Sequence, residues 1–198
     1  MELTDIQPLS DRKQEILQTA TRLFSEKGFL ASTMRDLAKL LNIQPPSLYS
    51  HYESKDEILW EIAVRCAKIF NDRVLPIAQE EGSIEKRLQK MIREHAACIL
   101  DNQEAAAIFF HEWEHLVPER HQWYAGFISM YEKVFADLIE EGKQKGIFRD
   151  IPAKFTTSAL LAGISWIHRW YRPNGKMSID DIGDNLTDFI LAGLRNPG

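Results

Sequence analysis

Residues 33–55, TMRDLAKLLNIQPPSLYSHYESK, constrain the fold more than any other stretch of the chain. Thr33 followed three residues later by Asp36 is the spacing that lets side chain and backbone satisfy each other's free donors at a helix start. Met34, Leu37, Ala38 and Leu41 then repeat at helical spacing, which predicts a helix with one apolar stripe. Asn42 can enter the left-handed region that a tight turn requires, a position more often held by glycine. A second, very short helix opens near Gln44-Pro45-Pro46, because proline in a first helical turn sacrifices no backbone bond. Helix, tight turn and short polar helix is the arrangement that presents a second helix to a DNA major groove.

The rest of the chain reads as helical too. Periodicity and punctuation predict about nine helices, near 11–28, 33–41, 45–51, 54–80, 83–101, 103–115, 118–145, 154–172 and 178–195. Ser54 with Glu57, and Ser178 with Asp181, have the spacing of capping pairs. Gly28, Gly82, Gly146 and Pro173 with Gly175 fall at helix ends. Val and Thr do not alternate with polar residues, so no strand pattern competes. The expected fold is all-α, with an N-terminal three-helix helix-turn-helix DNA-binding domain over 1–52. A larger helical domain for ligand binding and dimerisation follows over 53–198. Ile16, Leu17, Ala20, Leu23 and Phe24 form the stripe by which the first helix braces the pair behind it. The fourth helix (Ile58, Leu59, Ile62, Cys66, Ile69, Phe70) follows without a flexible linker, so a tilt can pass along it.

Composition narrows the class. With 198 residues the chain can bury a real core,. It contains no 18-residue apolar run and no signal-peptide pattern, so a cytoplasmic protein with no membrane partner is expected. Cys66 and Cys98 lie in apolar helical patterns, as reduced core residues do. The net charge of −5 has the wrong sign for a generic nucleic-acid binder,. Its distribution matters more. Residues 1–52 hold six Lys/Arg and six Asp/Glu, and residues 53–198 hold 18 and 23, so the whole excess lies outside the first segment. Attraction to phosphate must then be local, from the helix starts at Thr33 and Gln44 and from Lys55.

Ala20, Leu23, Phe24, Gly28 and Phe29, then Thr33, Asp36, Leu37 and Ala38, then Ser47-Leu48-Tyr49, His51-Tyr52, Ser54-Lys55 and Leu59 carry a resemblance. On these residues, the segment from Ile16 to Leu59 resembles the DNA-binding domain of the TetR (tetracycline-repressor) family. Two departures, Asn42 for the usual Gly and Gln44-Pro45-Pro46 for small or basic residues, bear on base preference rather than fold. The resemblance implies a double-stranded DNA operator as partner, with Thr33, Arg35, Gln44, Pro45, Ser47, Tyr49, Ser50, His51 and Lys55 at DNA-facing positions. Gln44, Pro45 and Ser50 are the candidates for base edges. Tyr52 fits core and contact equally well, and Arg35 can equally be a solvated charge. The short helix carries no Lys or Arg, so each copy would bind weakly and two would be needed.

The last two helices supply the candidate homodimer interface. Phe155, Ala159, Ala162, Gly163 and Trp166 recur along one face of the eighth. Ile179, Ile182, Leu186, Phe189, Ile190 and Gly193 recur along the ninth. Two helices from each subunit would make a four-helix bundle with the two-fold symmetry of a palindrome. Periodicity alone fits a monomer core equally, and the family resemblance favours the interface.

Phe109, Phe110, Trp113, Trp123, Phe127, Met130, Tyr131 and Phe135, joined by Trp166, Trp170 and Tyr171, form an aromatic-rich set. It can be plain core or the lining of an apolar pocket, with His115, Arg120 and Arg169 to orient a ligand. The runs GIFRDIPAK and WIHRWYRPNGKMS are similar to family members that respond to acyl-CoA thioesters of fatty-acid or sterol breakdown. This resemblance implies a small apolar effector, an acyl-CoA or fatty-acid-like molecule, with Arg169, Arg172 or Lys176 at its phosphates or carbonyls.

One motif points elsewhere. His111-Glu112-Trp113-Glu114-His115 matches the H-E-x-x-H zinc signature, with His121 in third-ligand position. On a helix, His111 and His115 would share a face and Glu112 would be the general base. Pro118 stands where the longer motif needs Gly, so a zinc protein or metallopeptidase remains the alternative and an enzyme is not expected. No phosphate-cradling glycine loop or nucleophile elbow occurs, and no cofactor is expected.

Overall fold

Caps and breaks set the helix boundaries. The structure, a computed structural model, describes residues 3–173 and 175–196. Among these the fold is all-α: α1 (Asp11–Lys27), α2 (Met34–Leu40), α3 (Pro45–Tyr49), α4 (Lys55–Val74), α5 (Ile84–Asp101), α6 (Gln103–His111), α7 (Pro118–Gln144), α8 (Ala153–Ser165), α9 (Ile167–Trp170) and α10 (Ile179–Leu194). Of the three expected capping pairs, Thr33 with Asp36 and Ser178 with Asp181 form full boxes, while Ser54 accepts from the Glu57 N–H at 3.2 Å and the Glu57 carboxylate accepts from the Glu53 N–H at 2.8 Å instead. Three helices stop short of expectation. The fourth ends at Val74, where Pro76 cannot donate and a 3-10 turn, Leu75–Gln79, takes over,. The sixth ends at His111 and yields to a second 3-10 turn, Trp113–His115. The eighth breaks at Trp166, whose N–H bonds to Ile164 rather than four residues back, so the segment expected as one helix is α8 followed by the four-residue α9. None of the described helices is long and apolar enough to cross a membrane.

The chain packs as two compact units. The first comprises Met1–Lys68 with Gln103–Tyr124, and the second Ile69–Asn102 with Ala125–Gly198. In the first, α1 packs on α2 and α2 on α3, and Ile16, Ala20, Phe24, Leu37, Ala38 and Leu48 of these helices are almost fully buried. Leu17, expected inside, is only half-buried. Asn42 takes φ +53°, the left-handed turn conformation. Lys55, the first residue of α4, sends its ammonium to the carbonyls of Phe29, Leu30 and Ser32 at 2.9, 3.3 and 3.1 Å. The same ammonium lies 4.3 Å from the Phe29 ring centroid, close enough for a cation–π attraction. The loop between α1 and α2 is thereby tied to the start of α4.

In the second unit, α5 is the central helix, packed against α8, α9 and α10. Its stripe of Leu88, Met91, Ile92, Ala96 and Ile99 is buried. His95 lies in that stripe, with ring centroids of Phe70, Tyr131 and Phe135 at 5.0, 5.7 and 6.3 Å. Desolvation holds the His95 ring down to about 3, so it is neutral in the folded protein,. In the last turn of α7, Gly142 is required by space, since a Cβ there would overlap the Phe148 ring. Arg149 N–H bonds to Leu194 at 2.9 Å beside the Phe148–Arg195 bridge, holding the end of α10 to this unit.

Two outcomes follow for stability. Lys55→Met strands three loop carbonyls and should cost about 2 kcal/mol in urea denaturation; unchanged stability would show that the ammonium does not support the loop. For His95, the unfolded ring titrates near 6.5 and the folded ring near 3,. Below pH 6.5 the unfolded state therefore binds the extra proton, and stability should fall by up to about 1.4 kcal/mol per pH unit toward pH 3. His95→Phe should remove that slope between pH 6.5 and 5, above the range where carboxylates titrate; an unchanged slope there would contradict the burial.

Candidate nucleic-acid interface and regulatory surfaces

α3 is five residues long and is held from behind by Leu48, which is fully buried. Everything else on it faces outward or sideways. Gln44, Ser47, Tyr49 and Ser50 are exposed, and Pro45 and His51 are half-buried. Ser50 donates its hydroxyl to the Ser47 carbonyl at 2.8 Å, so that side chain is folded back on its own helix. On α2, Arg35 is exposed, while the Thr33 hydroxyl is engaged in the cap, accepting from the Asp36 N–H at 3.1 Å. Hydrogen bonds from Lys27 and then Thr33 hold the Asp36 carboxyl below its usual range. Lys27 Nζ reaches Asp36 at 2.7 Å and joins the end of α1 to the start of α2. Tyr52 is core, only 4 % exposed, with the Lys13 ammonium 5.0 Å above its ring. Burial pushes its hydroxyl up to about 12. Among the expected DNA-facing groups, the Lys55 ammonium is likewise committed within the fold, to the loop carbonyls.

The zinc-like motif has another arrangement. α6 stops at His111, so His111 and His115 do not share a helical face. Glu112 turns its carboxylate to the N–H of Phe29 at 3.3 Å, and His115 Nε2 lies 3.3 Å from the other Glu112 oxygen. The His115 ring stacks on Phe29 at 5.7 Å and 18°. Among the described residues, no three His, Cys, Asp or Glu side chains gather where a metal could be held. Phe29 is thus enclosed by Lys55, Glu112, His115 and the edge of Phe24, whose ring centroid is 5.3 Å away. The family-like residues had marked Phe29. Nothing in the sequence pairs it with Glu112, 83 positions later.

The aromatic set divides between the units. In the first, Phe109 packs against Phe110 and Tyr124, Trp113 stacks on Tyr124 at 5.3 Å, and Trp123 meets Trp60 at 5.0 Å. Arg120, expected to orient a ligand, lies over the Trp60 ring and donates to the Asp56 carbonyl. In the second unit, Phe70, Tyr131 and Phe135 surround His95, and Phe127 packs on Tyr131. His95 was not among the expected site residues, although a histidine inside an apolar stripe is a readable signal. Met130, on α7, is exposed rather than interior, and so are Trp166, Arg169 and Trp170, because the break at Trp166 turns Ile167 and Tyr171 inward instead. Asn174, within the acyl-CoA-like run, lies outside the described residues.

α8 and α10 carry an apolar surface. Phe155 is 70 % exposed, Trp166 51 % and Phe189 81 %. Ala159, Ala162, Gly163 and Gly193 are exposed, with Leu186 and Ile190 half-buried. A Cβ added at Gly163 or Gly193 would meet nothing within 4 Å, so both backbones face open space. Ile182 is different. It is 2 % exposed and belongs to the core of its own unit, because α10 turns that side toward α5.

Comparison with known proteins agrees with this architecture. Residues 16–62 match "Bacterial regulatory proteins, tetR family", and residues 81–194 match "Tetracyclin repressor-like, C-terminal domain". The HTH-type transcriptional repressor KstR2 of Rhodococcus jostii is 29% identical over 191 residues, covering 95% of this chain and 93% of the relative. The solved structure of KstR2, a ketosteroid transcriptional regulator of Mycobacterium tuberculosis, superposes with TM-score 0.88 at 25% identity over 96% of this chain and 97% of that one. AibR in complex with isovaleryl coenzyme A and operator DNA shares the fold, with TM-score 0.82 at 22% identity over 90% of this chain and 97% of that one. An all-α fold among the described residues, a capped α2 followed by the short α3, and two matching family descriptions lead to one assignment: the chain belongs to the TetR family of DNA-binding transcriptional regulators, which are not enzymes.

Proposed function

We propose that this chain is a repressor that binds a palindromic operator as a homodimer and releases it when a small apolar effector, an acyl-CoA or fatty-acid-like molecule, is bound. The observation that carries the reading is α3, anchored by Leu48 alone and exposing Gln44, Ser47, Tyr49 and Ser50. In this reading residues 1–52 form the reading head and 53–198 the effector and dimer region. Gln44, Pro45 and Ser50 meet base edges, while Thr33, Arg35, Ser47, Tyr49 and His51 position the head on phosphates. Lys55 supports the head from within. A near-neutral head gives a shallow salt dependence, because few phosphates are neutralised directly. The protein acts in the cytoplasm, where the operator is.

The open face of Phe155, Ala159, Gly163, Leu186, Phe189 and Ile190 supports dimerisation, since exposed phenylalanines beside bare glycine backbone are what a close helix–helix contact buries. Support for the effector class comes from KstR2, named as a ketosteroid regulator, and AibR, solved with isovaleryl coenzyme A and operator DNA. An effector can release the operator only if it binds the released conformation more tightly; a coupling of about 1–3 kcal/mol corresponds to about 5–150-fold. Two structural elements can carry that coupling: α4, which runs unbroken from Lys55 to Val74, and the Glu112–His115 turn on Phe29.

Fluorescence anisotropy on the DNA upstream of the gene, paired with sedimentation, tests the reading. Tyr49→Ala should abolish specific binding while the protein sediments as the wild-type dimer. Phe189→Asp should sediment as a monomer and weaken operator binding at least tenfold, since each copy alone holds few contacts. Unchanged affinity in the first variant would remove α3 as the reading helix. An intact dimer in the second would remove the α8–α10 face.

A further inference from the structure

α4 ties down the chain at both ends of α1. Past the C-terminal end, the Lys55 ammonium takes the carbonyls of Phe29, Leu30 and Ser32. Before the N-terminal end, Arg65 donates from Nη2 to the carbonyl of Gln7 at 2.7 Å. Glu61 aims that guanidinium by accepting from its Nε at 2.6 Å. Ser10 then caps α1 by accepting from the Lys13 N–H, so the segment that Arg65 grips leads straight into the helix. Lys55 and Arg65 lie about 15 Å apart along α4 at 1.5 Å per residue.

Neither close packing nor attraction to DNA accounts for the grip on Gln7. Between residues 5–10 and α4 a cleft of about 330 Å³ stays open, with Ile6, Leu9, Trp60 and Val64 in its lining. The segment stands off the helix there, and the guanidinium bridges the two. Residues 3–10 hold Asp5 and no Lys or Arg, the wrong charge for an arm laid on phosphates,. Apolar burial is non-directional, whereas a hydrogen bond fixes distance and angle. A single tie would let α1 pivot on α4; two ties at opposite ends prevent it.

We propose that Arg65, through the N-terminal segment it grips, determines which half-site spacing the dimer accepts, by fixing the reading head on α4. Arg65 is a positioning residue here and touches no DNA. This rests on the homodimer and palindrome reading above. One base pair added between half-sites moves one of them by about 3.4 Å and turns it by about 35°. A head that cannot pivot rejects that change, and a loosened head follows it part of the way.

The test selects a palindromic operator from random duplexes with the full-chain protein. Anisotropy then compares that duplex with versions having one base pair added or removed at the centre. The wild type should prefer the selected spacing about tenfold or more. Arg65→Met, and a chain lacking residues 2–8, should each lower the preference about fivefold, the worth of one hydrogen bond, while sedimenting as the wild type does. Combining the two changes should do no more than either alone, because both break one contact. A general loss of stability would weaken all three duplexes alike and leave the preference unchanged. An unchanged preference in both variants, or additive effects, would overturn the proposal while leaving the dimer reading in place. Loss of all DNA binding by the shortened chain would make the segment a DNA contact and overturn it as well. A wild type that selects no palindrome would overturn the dimer reading and this proposal together.

Discussion

The reading head depends on how Phe29 is held. Its carbonyl receives the Lys55 ammonium, its N–H is met by Glu112, and its ring contacts both His115 and that same ammonium. Lys55 also gathers the carbonyls of Leu30 and Ser32, so the loop that launches α2 is tied down one residue before its cap. α2 and α3 are too short to hold a direction by themselves. Their orientation comes from Leu37, Ala38 and Leu48 inside and from this loop behind them. A change in the Glu112–His115 turn therefore reaches the reading helices through one residue, without an extended relay of side chains.

Legibility in the sequence tracked the range of the interaction. The Thr33 and Ser178 capping boxes, the left-handed Asn42 and the proline-opened α3 are decided within a few residues, and all were readable. Helix ends set by long-range contacts were not. α6 stops at His111, where Glu112 turns to a backbone N–H 83 positions away, and no local signal reports such a partner. That same contact explains why a zinc-like spacing occurs without zinc-like geometry. Glu112 and His115 are conscripted by Phe29. The break at Trp166 likewise inverted the inside and outside of the segment that follows, exposing Trp166 and Trp170 and burying Ile167 and Tyr171.

The two units solve different problems. The first is fixed by polar groups that each find a partner: Lys27 with Asp36, Lys55 with three carbonyls, Glu112 with Phe29. The second is built around α5, whose apolar stripe is complete except at His95. A regulator needs a head rigid enough to read DNA and an effector region able to change its contacts. His95 falls within the helix expected near 83–101, but the rings that surround it come from other elements, Phe70, Tyr131 and Phe135, which no local pattern brings together.

Native-state hydrogen exchange across residues 29–52, in the wild type and in Glu112→Ala, tests the central claim most directly, since it needs neither operator nor effector. If Phe29 holds the head, removing its carboxylate partner lowers protection from Phe29 through α2 and α3 together, as one opening unit. A loss confined to the Phe29 amide, with α2 and α3 protected as before, would contradict the account.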